Sequence, residues 1–428
     1  MTCETRFTLE TSSNEISGAR YYHFQFPIYY IKDEIYLSSP IPSSPEQNVQ
    51  HKVVVSTPYY VPAYLGGGPI QTLKALINAA PSEFKTRVVC TNHDLGKTAP
   101  LTDNPNRWIE VGPAQVQYVE GGIRSRIKAL KETNDADLIY LNSLFNPRYS
   151  LLPMLLKRVG FWKKGALLIA PRGELDPGAL ALKTRKKKAF LTAFKLLRFH
   201  KSALWHASTS VEAAQIKKQF GDVTVLVREN ETSLPQQAFS RPPRKAGPPR
   251  LLFVSRLDEK KGLHILLQSL KSIAAPLDLK IVGAFENSDY ESRCRRHIEQ
   301  LDDNISIEFS GPLERDNVLQ SMQSADLLVF PTAGENFGHV IAEALSQSCP
   351  VMCSANTPWT NHLTDGGGFV VQQNTADAWR QSISEFVLLG SNSWVEASQS
   401  SGETYNIWRN EDKGTHVFAL AETSLKQN

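Results

Sequence analysis

Short apolar runs, bounded by Gly, Pro or charged residues, alternate with amphipathic stretches along most of this 428-residue chain. The runs at 52–55, 87–90, 137–141, 166–170 and 203–207 predict buried strands in the first half. Those at 251–255, 279–283, 305–309 and 327–330 do so in the second. Strands that are apolar throughout, with helices between them, predict an α/β chain with parallel, doubly wound sheets. After the run at 327–330 comes a loop to Glu335. A helix then starts near Gly338, with Val340, Ile341, Ala344 and Leu345 on one face. The pattern lapses twice. Residues 233–250 hold Pro235, Pro242, Pro243, Pro248 and Pro249, which exclude regular structure and mark a solvated linker. Residues 1–50 hold an aromatic run, Tyr21 to Tyr30, and then a Ser/Pro-rich stretch. The predicted organisation is an extension (1–50), a first domain (51–235), a linker (236–250), a second domain (251–390) and a tail (391–428).

Composition adds little to this. With 41% hydrophobic and 21% charged residues the chain reads as an ordinary globular protein, and a net charge of +4 does not argue for nucleic acid. Cys3, Cys90, Cys294, Cys349 and Cys353 are odd in number and scattered, which argues against a disulfide framework and for a reducing compartment. No run approaches the ~20 apolar residues of a membrane span. Glu4 and Glu10 stand where a basic-then-apolar leader would be, so no signal peptide is expected and a cytoplasmic location is. One charge run stands out: Lys183, Arg185, Lys186, Lys187, Lys188, Lys195, Arg198 and Lys201, with Phe190, Phe194 and Leu197 interleaved. It fits a solvated helix with its apolar side on a sheet. It also fits a basic amphipathic surface at the cytoplasmic face of an anionic membrane.

Candidate chemistry sits at the strand ends. Gly66, Gly67 and Gly68 precede a helix, but there is no G-x-G-x-x-G turn and no Walker lysine, so neither a dinucleotide nor an ATP site is read. The absent turn also sets aside a Rossmann oxidoreductase. The amides of Asn336, Phe337 and Gly338 would be free at a helix start and suit an anion. Glu335 and Glu343 flank them and can accept hydrogen bonds from hydroxyls. A ligand with both hydroxyls and phosphates, such as a nucleotide sugar, meets both demands. Arg256 and Lys261 follow the first strand of the second half, a forked and a point cation suited to phosphate oxygens.

Glu335 and Glu343 have seven residues between them, with Asn-Phe-Gly directly after the first. This string resembles the E-x7-E motif of GT-B retaining glycosyltransferases, family 4, the group that builds bacterial exopolysaccharides. Thr357-Pro358-Trp359 and the Ser-Arg-Leu-x-x-x-Lys-Gly pattern at 255–262 are similar to that group too. The resemblance covers roughly 50–400. It implies two Rossmann-like domains facing across a cleft, and transfer of a sugar from a nucleotide donor to an acceptor hydroxyl with retention and no essential metal or cofactor. Glu335, Arg256 and Lys261 would carry the catalytic roles. Gly67 and Gly68 would face the donor diphosphate, Gly311 the nucleobase and Glu343 the ribose. Arg172 would lie on the acceptor side, where a forked phosphate contact and a structural salt bridge are both open. Asn142 departs from the family's histidine near that position. The implied partners are a nucleotide-sugar donor and a sugar or lipid-linked sugar acceptor, with no nucleic acid. A non-catalytic sugar-binding scaffold and a nucleotide-sugar epimerase of the same fold are the alternatives.

Overall fold

The computed structural model describes residues 50–181, 184–242, 244 and 246–427. The expectations for the 1–49 segment and for Lys183 and Pro243 lie outside the described residues. The first sheet holds β1 (His51–Ser56), β2 (Phe84–Thr91), β3 (Trp108–Val111), β4 (Ala114–Val119), β5 (Leu138–Leu141), β6 (Ala166–Ile169), β7 (Ala203–Ala207) and β8 (Val225–Val227). Its order is β3-β4-β2-β1-β5-β6-β7-β8, and only the β3–β4 pair is antiparallel. The second sheet holds β9 (Arg250–Val254), β10 (Leu277–Val282), β11 (Ile305–Gly311), β12 (Leu327–Phe330), β13 (Val351–Ser354) and β14 (Gly368–Val371). Its order is β11-β10-β9-β12-β13-β14, parallel throughout.

The apolar runs follow from burial on both faces. In β1, Val53 and Val55 enter one core with Leu73 and Leu76, while Val54 enters the opposite core with Ile139 and Trp205. No polar face is left, so the strand reads as continuous rather than alternating. β3, β4, β8 and β14 are additional to the predicted strands; β3, β8 and β14 are edges, while β4 is interior but has Gln115 and Gln117 breaking its run. Edge strands are half-exposed, so their sequences carry no unbroken apolar run.

The Pro-rich linker has no regular structure, but its arginines are not solvated as the sequence reading had it. Arg241 donates to the carbonyls of Gln323 and Ser348, at 2.6 and 3.3 Å. Arg244 stacks on Trp394 and pairs with Asp326 at 3.2 Å. The cations thus satisfy chain-end groups of the second sheet instead of water. The tail divides. The Ser391–Asn410 helix stays with the second sheet, because Tyr405 and Trp408 are buried in its core. Only the Val417–Lys426 helix crosses to the first sheet, where Val417, Phe418 and Ala421 are fully buried. His416 locks the crossing by donating Nε2–H to the Leu76 carbonyl at 3.0 Å.

Candidate active site

The loop between β12 and the His339–Ser346 helix lies against the turn after β9. Gly262 makes this possible. It has φ +78°, and a Cβ there would lie 2.0 Å from the Pro331 carbonyl oxygen. The close approach lets Ala333 N–H donate to the Lys260 carbonyl at 2.7 Å. It also places the Lys261 ammonium 2.7 Å from Glu335 Oε1. Thr332 donates its hydroxyl to the same oxygen at 2.7 Å. Lysine and carboxylate are only 16% and 12% exposed. Glu335 Oε2 has no partner among the described residues, nor do the amide N–H groups of Asn336, Phe337 and Gly338. A carboxylate oxygen, an ammonium and a helix start therefore converge at one spot, able to receive hydroxyls and an anion together.

Glu343 is one helical stretch further on, with Arg315 Nε 3.5 Å from its carboxylate. No hydrogen bond reaches this carboxylate among the described residues. Burial pushes its pKa up, partly offset by Arg315. Such a group gains from hydroxyl donors. Phe337 is buried against His339, Trp359 and Trp408, and its carbonyl accepts from Trp359 Nε1 at 2.6 Å. Trp359 of the Thr-Pro-Trp string is thus a prop for the loop.

The other predicted residues make contacts of their own. Arg256 is 52% exposed and pairs with Glu286 at 2.7 Å. Gly311 ends β11 with φ +66°, and its carbonyl accepts from Gly283 N–H. Gly67 caps the Gly68–Asn78 helix, and nothing lies within 4 Å of where its Cβ would be. Arg172 has neither a free fork nor a carboxylate partner. It donates to Asn142 Oδ1 at 2.9 Å, to Asn230 Oδ1 and to the Tyr140 hydroxyl at 2.5 Å. Tyr140 in turn meets His206 Nδ1 at 2.9 Å, and His206 Nε2 meets the Arg228 carbonyl at 3.0 Å. The carbonyl can only accept, so the proton is on Nε2 and Tyr140 donates to Nδ1. Burial, with Arg172 nearby, keeps His206 neutral by holding its pKa far down.

Three residues that sequence reasoning passed over join the halves. Glu212, 1% exposed, accepts from Gly173 N–H at 2.6 Å and from Ser208 N–H and hydroxyl at 2.8 and 2.9 Å. Asn336 donates to Ser208 Oγ at 2.8 Å and to Glu212 at 3.2 Å. Thr72 meets His339 Nε2 at 2.6 Å. Gly68 permits that last contact, since a Cβ on it would lie 2.6 Å from the His339 ring. Glu212, Thr72 and His339 look like ordinary helix residues in sequence. The Thr209-x-x-Glu212 spacing of a capping box at a helix start was the one available signal.

Burial, then the charges of Arg172, Arg315 and Lys261, hold the His339 pKa down at about 3. An unfolded histidine takes its proton near pH 6.5, so between those values the unfolded chain binds more protons. The stabilisation is complete above pH 6.5 and shrinks as pH falls toward 3, by at most about 1.4 kcal/mol per pH unit. The wild-type melting temperature should therefore drop between pH 7 and pH 5. His339→Gln should drop less, with His206, His416, His200, His264 and His297, all held down by burial, contributing to the remainder with the same sign. Equal slopes in scanning calorimetry would refute this.

Among the described residues no group of three or more His, Cys, Asp or Glu side chains could hold a metal ion. Nor is any described helix long and apolar enough to cross a membrane. The described cysteines are free and buried.

Residues 236–400 match the family described as glycosyl transferases group 1. The phosphatidyl-myo-inositol mannosyltransferase of Mycobacterium leprae is 33% identical over 138 residues, 30% of this chain and 35% of that protein. The matching segment spans about a third of the length of the curated relatives. Among solved structures, Anabaena Alr3699/HepE in complex with UDP and glucose aligns with TM-score 0.62 at 16% identity, covering 87% of this chain and 99% of that one. Sucrose-phosphate synthase from Thermosynechococcus elongatus aligns with TM-score 0.63 at 17% identity, covering 88% and 98%.

Proposed function

We propose that this chain, a GT-B fold protein related to the family 4 glycosyltransferases, transfers a sugar from a nucleoside diphosphate donor to an acceptor hydroxyl with retention at the anomeric carbon. The observation that carries the reading is the convergence of Lys261, Glu335 and the unpartnered amides of 336–338 on one spot. On this reading Lys261 and the helix-start amides hold the diphosphate and take up charge as it leaves. Glu335 exchanges its lysine contact for donor-sugar hydroxyls, which fixes the anomeric carbon. Glu343 receives the ribose hydroxyls. The bond from the anomeric carbon to the phosphate oxygen breaks, the acceptor oxygen attaches on the same face, and its proton goes to the leaving phosphate oxygen. Arg256 would swing from Glu286 to the diphosphate. The contacts of Thr72 with His339 and of Glu212 with Asn336 keep water from the donor.

The acceptor fits a lipid-linked sugar, and the enzyme would work peripherally on an anionic membrane. Supporting this, the Thr184–Leu196 helix ends in an exposed Leu196 (81%) and Leu197, ringed by exposed Arg185, Lys186, Lys188, Lys195, Arg198 and Lys201. Phe194 points the other way, into the core of the first sheet. Vesicles with 30 mol% anionic lipid (~30%) should sediment the protein, and Leu196→Glu with Lys195→Glu should abolish this. Retention by the double variant would remove the membrane surface from this helix.

Donor binding can be tested by thermal shift with UDP, GDP and ADP and their glucose or mannose conjugates. One nucleotide at 100 times its Kd should stabilise the protein by about 2.7 kcal/mol. Arg256→Ala should weaken the nucleotide, and Glu335→Ala should erase only the gain from the sugar. No stabilisation by any nucleotide at millimolar concentration would overturn the transferase reading.

A further inference from the structure

A cavity of about 430 Å³ lies at the carboxyl ends of β2 and β4, in the first sheet. Arg126, Arg148, Asn92, His93, Asp103 and Glu120 are among its walls. It adjoins the glycine loop: Asp94, next to His93, accepts the backbone N–H groups of Tyr64 and Leu65 at 2.9 and 3.1 Å. None of this belongs to the donor centre described above.

Arg126 sets this cavity apart. Its residue is 6% exposed, yet no acidic side chain lies within ion-pair distance of it among the described residues. Its Nε donates to the Tyr149 hydroxyl at 3.2 Å, and its guanidinium lies 5.4 Å from the Tyr149 ring centre. Both terminal nitrogens are without a partner among the described residues. The guanidinium, held by one neutral hydrogen bond and one ring, keeps its terminal donors open to the cavity, where they can meet an anion. Arg228, the other arginine this buried among the described residues, meets Glu231. Arg148, on the rim, also has no ion pair among the described residues, and its charge adds to that of Arg126. The Ile123–Lys131 helix that carries Arg126 has no acidic residue in its first turn to cancel the charge.

The acids of the cavity are placed differently. Asp103 and Glu120 are exposed, and Glu120 Oε2 is held by Asn92 Nδ2 at 3.4 Å. The carboxylates and the amide can accept from and donate to hydroxyls, while the two arginines can meet an anion. We infer that this cavity is an acceptor subsite for a hydroxyl-rich molecule carrying a phosphate or carboxylate, with Arg126 as its buried anion contact and Arg148 as its rim contact. The inference rests on the transferase reading for the word acceptor, but the binding does not.

Isothermal calorimetry on the full chain, saturated with its nucleotide, tests it. The probes are methyl α-glucoside, its 6-phosphate and methyl α-glucuronide, with geranyl diphosphoglucose as a lipid-linked arm. At least one anionic probe should bind tenfold or more tighter than the neutral glucoside. Tight binding of the geranyl compound alone would assign the anion to a lipid-linked diphosphate, and binding of the 6-phosphate or glucuronide to a soluble acceptor. Arg126→Met and Arg148→Gln should each weaken the preferred probe about tenfold and leave nucleotide affinity unchanged. Arg148 is exposed, so its variant keeps the test alive should Arg126→Met unfold. Equal binding of neutral and anionic probes, no binding of any, or full affinity in both variants overturns the inference. Nucleotide binding in the same samples separates that outcome from a failure of the donor site.

Discussion

Lys261→Ala is expected to lower kcat for sugar transfer by about 100- to 1000-fold, the usual effect of removing one preorganised charge from a developing anion. The ion pair gives the substitution a second effect. Glu335 loses the ammonium 2.7 Å away and keeps only the Thr332 hydroxyl on that oxygen. A largely buried carboxylate stripped of its partner is destabilising by a few kcal/mol at most, here about 1–3 because water reaches its second oxygen. Lys261→Ala should therefore also melt earlier, whereas the double variant with Glu335→Gln should recover part of the melting temperature and none of the activity. Initial rates with labelled donor and a melting curve measure both. If Lys261→Ala keeps kcat within fivefold, the lysine serves only to hold Glu335, and the leaving group is stabilised elsewhere.

Glu212→Ala should have a comparable effect by another route. It strips acceptors from the Gly173 and Ser208 amides, the Ser208 hydroxyl and the Asn336 amide at once. Each buried donor left unsatisfied costs about 1–3 kcal/mol, and the Ser208 and Asn336 groups can partly re-pair, so a net loss near 3 kcal/mol is expected. Because Asn336 follows Glu335, the donor loop should loosen too, raising donor KM more than it changes nucleotide affinity. Glu212→Gln keeps the shape and, with its oxygen toward Ser208, the three contacts to Ser208 and Asn336, losing only the one from Gly173, and should recover most of the stability. A melting temperature unchanged within 1 °C in Glu212→Ala, with normal donor KM, would show that the two halves are held together without it.

The layered α/β architecture is legible in the chain. Most central strands are buried on both faces and are apolar at nearly every residue, a local and visible property; β4 is interior too, but Gln115 and Gln117 break its run. Where strands are sheet edges, as with β3, β8 and β14, that burial lapses and the signal went with it. The loop at 331–338 could also be read, because a strand, a Gly-containing turn and an amphipathic helix follow one another within one short segment. Which residue meets which follows instead from packing between distant elements. Lys261 and Glu335 are 74 positions apart and touch because Gly262 lets two loops lie in van der Waals contact. Arg172, a plausible phosphate fork in sequence, is instead tied to Asn142, Asn230 and Tyr140. The linker arginines cap carbonyls rather than facing water. Thr72, His339 and Arg126 carry no pattern at all in the chain, and the capping spacing before Glu212 says nothing of its partners. Their significance lies in burial and in the distance to a partner from another element, and neither is a property of neighbouring residues.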